Sequence, residues 1–142
     1  MYVILGGAYN GKRAYVEQLI AQMPLKELVV CEGVLPNATV ASPDKRFIIS
    51  EFEKIVLPLL DQPEEQVAQQ IFEQIKRVTQ QCEVFCICTD MSRGVVPIEK
   101  QERQLRDTCG RVYQKLCQEA DTVVRVWYGI PQMLKGEEHG EK

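Results

Sequence analysis

The sequence predicts an α/β fold, a parallel sheet flanked by helices on both faces, and two patterns carry that prediction. Apolar runs recur at Tyr2–Leu5, Glu27–Cys31, Arg46–Ser50, Glu83–Thr89 and Thr122–Trp127, and they are close to continuous, as in strands buried on both faces. Segments of helical spacing separate most of them, the alternation from which βαβ units are built.

The first helix follows a glycine-rich stretch and shows Val16, Leu19, Ile20 and Met23 on one side. After the third strand, Phe52, Ile55, Val56, Leu59 and Leu60 keep a helical rhythm that Pro58 must bend, end or restart. A further helix begins near Pro63 and carries Val67, Ile71, Ile75 and Val78; the last runs from about Glu99 to Ala120 with Leu105, Cys109, Val112 and Leu116 on its stripe. Glu99/Arg103 and Glu102/Arg106 have the spacing of i,i+4 pairs on that helix. Between Glu32 and Lys45, EGVLPNATVASPDK reads as a loop with a short extended piece. A single domain is expected over residues 1–135, followed by a charged tail over 136–142.

At 142 residues the chain can bury roughly two thirds of its unfolded surface. A net charge of −3 gives no general pull towards nucleic acid or anionic lipid. No apolar run reaches the roughly 18 residues of a membrane span, and no signal-peptide pattern opens the chain, so a cytoplasmic protein is expected. The six cysteines form no C-x-x-C pair and the only histidine, His139, lies in the tail. They are expected to be reduced, mostly buried thiols, with Cys86 and Cys88 on one face of a strand.

Chemistry concentrates at GGAYNGKR, Gly6 to Arg13, between the first strand and the first helix. Gly6-x4-Gly11-Lys12 has the spacing of a phosphate-binding loop, a P-loop, in which backbone N–H groups surround a β-phosphate and a lysine reaches the β- and γ-oxygens. Gly6, Gly7, Ala8, Tyr9, Asn10, Gly11, Lys12 and Arg13 are therefore candidate contacts for ATP or GTP. The helix that follows adds its positive dipole end. Arg13 occupies the place of the Ser or Thr that would hold Mg²⁺ and weakens the case for the metal. Three readings stay open: an outward guanidinium, one that supplies part of the metal's charge, or the mark of a site that binds nucleotide without turning it over.

Two acids sit at the carboxyl ends of strands, where ligands bind in open α/β sheets. Glu51 is a candidate metal ligand and catalytic acid, and equally a helix-starting glutamate with Ser50 as the N-cap. Asp90 is the second candidate at the same rim.

GGAYNGKR, FIISEF and above all RGVVPIEKQERQLRDTCGRVYQKLCQEAD together resemble the adenosylcobinamide kinase/adenosylcobinamide-phosphate guanylyltransferases of cobalamin assembly, and TVVRVWYGIP suits that family's ending. In the last of the three, Gly94-Val95-Val96-Pro97 precedes Arg103, Arg106, Asp107, Gly110 and Arg111 in family-like register. The resemblance implies a P-loop NTPase-like fold, a homo-oligomer of the trimeric type, and a corrinoid hydroxyl as phosphate acceptor. It also implies GMP transfer through a guanylylated histidine. It places phosphate contacts at Gly6, Gly7, Gly11 and Lys12, a strand-end acid at Glu51, and an acid at Asp90 before the Gly-Val-Val-Pro turn. Two positions depart from the family: its loop serine is Arg13, and an asparagine on its long helix is Tyr113. Its histidine lies between the second and third strands, where Glu32–Lys45 contains none. A phosphotransferase that has lost guanylyl transfer is expected, with a nucleotide-binding protein without catalysis and a structural paralog as the alternatives.

Overall fold

The computed structural model describes residues 1–8, 10–90 and 99–136. Its strands are β1 (Tyr2–Gly6), β2 (Glu27–Glu32), β3 (Lys45–Ser50), β4 (Glu83–Thr89), β5 (Thr122–Trp127) and β6 (Ile130–Lys135). Its α-helices are α1 (Lys12–Ala21), α2 (Phe52–Val56), α3 (Glu64–Thr79) and α4 (Lys100–Glu119). They form one six-stranded sheet in the order β2-β3-β4-β1-β5-β6. The first five strands pair in parallel, and β6 runs antiparallel to β5.

Strand alternation divides the interior into two layers. Val3, Phe47, Ile49, Val84, Cys86, Cys88 and Val123 face the side covered by α2, α3 and α4, whose Phe52, Ile71, Ile75, Val112 and Leu116 complete that core. Ile4, Ile48, Phe85, Ile87, Val124 and Val126 face α1, which contributes Val16 and Leu19. Helices therefore cover both faces, as their apolar stripes predict. Cys86 and Cys88 do share one face, and all six thiols are free.

Four local expectations need correction. The sheet is not wholly parallel: a two-residue turn at Tyr128-Gly129, with φ of 51° and 76°, makes a hairpin that adds β6. The extended piece expected between Glu32 and Lys45 is instead a 3₁₀ turn over Ala38–Val40, because the Asn37 side chain accepts from the Thr39 N–H and starts a helical turn. Ser50 is the last residue of β3 and does not cap α2; Glu51 occupies the N-cap in the left-handed region. On α4, neither i,i+4 pair forms: Arg106 pairs with Asp107 at 3.1 Å, while Arg111 and Lys115 reach Glu64 and Glu65 of α3. For Arg106 the adjacent carboxylate of Asp107, not that of Glu102 a turn earlier, is the partner within reach.

Pro58 behaves as expected, ending α2 and opening a 3₁₀ turn over Leu57–Leu59 before the chain restarts at α3. Among the described residues, no helix is long and apolar enough to cross a membrane.

Candidate functional site

The parallel strands bring their carboxyl ends to one rim. There the chain leaves β1 at Gly6, passes through the glycine loop and enters α1 at Lys12. Gly6 permits a close passage, since a Cβ there would lie 2.5 Å from the Val126 carbonyl oxygen. Gly11 is the N-cap of α1 at φ 89°, a left-handed conformation that suits glycine, and a Cβ there would press on Gly129 of the hairpin. The Asp90 N–H donates to the Gly6 carbonyl at 2.8 Å, and the Gly129 N–H donates to that of Asn10 at 2.8 Å. Thus β4 holds one end of the loop and the β5–β6 hairpin the other.

Lys12 lies inside this arrangement, 6% exposed, with its Nζ donating to the Gly7 carbonyl at 2.6 Å. Among the described residues it forms no ion pair. Burial lowers the pKa of its ammonium from the ordinary lysine value, opposed by the fields of Cys88 and Glu53. Of the other loop residues, Gly7 and Asn10 are buried and Ala8 is exposed, while Tyr9 lies outside the described residues.

Arg13 leaves the loop in another direction. Its Nε donates to Glu17 at 3.2 Å, one turn along α1, and its Nη1 to Glu32 at 3.3 Å at the end of β2. The guanidinium is half-exposed and its charge is met by two carboxylates. Of the three readings of this residue, the outward guanidinium matches its placement.

The rim acids have distinct surroundings. Glu51 takes φ 58° and ψ 51°, makes no side-chain cap, and pairs with Lys54. Left-handed backbone is unfavourable for a residue with a Cβ and recurs at ligand sites. Asp90 is exposed beyond β4 and lines cavities on two sides of the loop. Glu53, in the first turn of α2, is the carboxylate whose field reaches Lys12, Cys109 and Tyr113. Nothing local in the sequence distinguishes it from a solvated helix charge; only its position three residues beyond a strand end could have drawn attention to it.

Tyr113 is the other residue that sequence reading gave no role. Its hydroxyl donates to the Thr89 carbonyl at 3.2 Å and its ring meets Phe52 edge-on at 5.7 Å, so it pins α4 to the end of β4. Burial pushes its phenol above the usual range, and burial also raises the neighbouring Cys109 thiol to about 12. Beside it opens a cavity of about 680 Å³ lined by Leu5, Asp90, Arg106, Asp107, Arg111 and Tyr113, among others. A smaller one of about 260 Å³ lies between the loop and the end of β5. Gly94-Val95-Val96-Pro97 and His139 lie outside the described residues.

The sequence profile of one known family, Cobinamide kinase / cobinamide phosphate guanyltransferase, matches residues 27–134. The chain belongs to this family. Membership assigns a kinase/guanyltransferase-like function of cobalamin biosynthesis, in a family whose substrates are nucleotides and corrinoids. The match begins after the glycine loop and α1, so the loop's role rests on its own spacing and geometry. No curated protein matches the chain in sequence.

Proposed function

We propose that this family member binds ATP or GTP through a P-loop at Gly6–Arg13, keeps the phosphotransfer half of the family's chemistry, and lacks the guanylyl-transfer half. The observation that carries the reading is Lys12: a buried ammonium at the N-terminus of α1, at the rim of a central strand, held by a loop carbonyl. A cation kept there with no carboxylate partner among the described residues favours an arriving anion, and the free N–H groups of the first helical turn add to that attraction.

In this reading the acceptor hydroxyl, carried by a corrinoid as in the family's substrates, enters from the cavity between α4 and the ends of β1 and β4. It attacks the γ-phosphorus, the bond to the bridging oxygen breaks, and the nucleoside diphosphate leaves. Asp90 or Glu51 accepts the hydroxyl proton. Lys12 and the loop amides neutralise charge on the transferring group, which is most of what phosphoryl transfer asks of a protein.

Among the described residues no three His, Cys, Asp or Glu side chains gather into a metal cluster. The donor set suits Mg²⁺ only as a companion of the phosphates, held by Glu51 or Asp90 with water and phosphate oxygens completing its shell. When bound, the ion would supply further charge neutralisation. Guanylyl transfer by the family route needs a positioned histidine, and the loop between β2 and β3 has none.

The test is a calorimetric titration with ATP and GTP, followed by an assay of phosphate transfer to adenosylcobinamide. Lys12→Ala removes a charge-assisted contact worth roughly 1.5–3 kcal/mol and should weaken binding about tenfold to a hundredfold. Absence of nucleotide binding, or equal affinity in the variant, defeats the reading. Binding without transfer would favour the second reading, a nucleotide-binding protein without catalysis, which draws support from the missing hydroxyl at Arg13.

A further inference from the structure

Beside the glycine loop the hairpin carries an aromatic surface that phosphate binding does not use. Trp127, the chain's only tryptophan, ends β5 with 51% of its surface exposed, stacked on Tyr128 with ring centroids 5.8 Å apart. The cavity of about 260 Å³ connects this indole to the loop. Gly6, Gly7 and Asn10 line it from the loop, Asp90 from the end of β4, and Arg125 and Trp127 from β5. The hydrogen bond from the Gly129 N–H to the Asn10 carbonyl and the close passage of Gly11 against Gly129 fix the hairpin's position relative to the loop. Arg125 is itself oriented, its Nη2 donating to Gln132 at 2.8 Å across the β5–β6 pair.

We propose that Trp127 is the stacking platform for the nucleobase, with Arg125 as the polar group that meets the base edge. The inference rests on the nucleotide reading of the loop and deepens it by saying where the base goes. Phosphates seated on the loop leave the rest of the nucleotide to extend into an adjoining space. The smaller cavity adjoins at Gly6 and Gly7, ends on a flat aromatic surface and is too small for a corrinoid ring. A purine offers the complementary flat face, and stacking of this kind tolerates either purine. An arginine offers donors to base carbonyl and ring nitrogen acceptors.

A single tryptophan makes the test direct. ATP and GTP should quench Trp127 fluorescence on titration, and tripolyphosphate should bind with a smaller change. Trp127→Leu should weaken ATP and GTP binding on the order of tenfold, leave tripolyphosphate affinity as it was, and leave the far-ultraviolet circular dichroism unaltered. Trp127→Phe should recover most of the loss. Nucleotide affinity unchanged in Trp127→Leu but lowered in Lys12→Ala overturns this inference and leaves the phosphate loop intact. Tryptophan emission that tracks protein concentration, together with dissociation of an oligomer in Trp127→Leu at unchanged nucleotide affinity, would make this face a subunit contact and overturn it as well. If the wild type binds neither nucleotide nor tripolyphosphate, the loop reading fails and the base site fails with it.

Discussion

Both ends of the sheet carry ion pairs, Glu51–Lys54 and Arg13–Glu32 among those at the carboxyl rim, yet one rim cation, Lys12, is treated differently from the cations of the base. At the amino-terminal base, charges are answered by opposite charges: Arg46 on β3 donates to Glu83 on β4 at 2.7 Å, Lys26 adds to Glu83 at 3.8 Å, and the N-terminal ammonium meets Asp121 at 2.9 Å. At the carboxyl rim, Lys12 is buried against a backbone carbonyl, and Glu53 acts on it only through its field. A cation paired with a carboxylate is neutralised and serves the fold. One held only by a carbonyl is not neutralised, and in the proposed reading that charge meets an incoming anion. The contrast predicts that base and rim substitutions separate stability from ligand affinity.

The largest expected effect lies at the base. Arg46 is 1% exposed; its Nε donates to Glu83 and its Nη1 to the Pro24 carbonyl at 3.1 Å, while Nη2 is buried without a partner among the described residues. Glu83→Ala leaves a buried guanidinium without its carboxylate, which should cost about 3–5 kcal/mol, whereas Glu83→Gln keeps an acceptor and should cost less. Urea denaturation measures both. Nucleotide affinity of the folded Glu83→Ala protein should match wild type, and a large loss there would erase the distinction between the two ends.

Lys12→Ala is the converse. Its loss of nucleotide affinity, argued above at roughly 1.5–3 kcal/mol, should come with a stability change within about 1 kcal/mol, because a single hydrogen bond to Gly7 is lost while a desolvated charge is removed. A variant that unfolds as readily as Glu83→Ala would show that Lys12 serves the fold.

Between the two ends run the buried thiols, Cys86 towards Met1 at the base and Cys88 towards Lys12 at the rim. Burial raises Cys86 and Cys109 from near 9 to about 12, and Cys88 well above its ordinary value. Below pH 9 folded and unfolded chains both keep these protons, so the stability is fully present. Between pH 9 and about 12 only the unfolded chain ionises, and stability falls as pH rises. Each thiol contributes a slope of roughly 1 kcal/mol per pH unit. Urea midpoints in reducing buffer should drop between pH 8 and 10.5, with a shallower slope in Cys109→Ala. Equal slopes in the variant and wild type would refute the assignment.

The sequence made the parallel core legible because its strands are nearly continuous in apolar residues and its two long helices, α3 and α4, keep a clear stripe, both local signals. Strand β6 was hidden by Pro131 and by the exposure of Ile130 and Leu134, since an edge strand needs neither a full set of ladder donors nor a buried face. The signal was Tyr128-Gly129 between two apolar runs, a turn whose type depends on positive φ at both residues. At the rim, the spacing of Gly6, Gly11 and Lys12 was readable from a single short stretch. The inward role of Glu53 and the pinning contact of Tyr113 come from packing between distant elements, and no local pattern encodes them.

Arg13 is the case where chain neighbours part. It follows Lys12 directly, yet Glu32, nineteen positions away, draws it outward with Glu17 while Lys12 turns in. Because its charge is met by two carboxylates and directed away from Gly7, Arg13→Ser should change nucleotide affinity in EDTA by less than about twofold, and the two exposed pairs it removes should cost below roughly 1 kcal/mol. Any gain in the presence of Mg²⁺ then comes from the new hydroxyl, a ligand the guanidinium could not provide. Titrations of both proteins with EDTA and with Mg²⁺ separate the two contributions. A marked loss of affinity in EDTA would mean that Arg13 turns towards the phosphates when nucleotide arrives and supplies part of the metal's charge. The rim would then hold two functional cations, and its contrast with the base would sharpen.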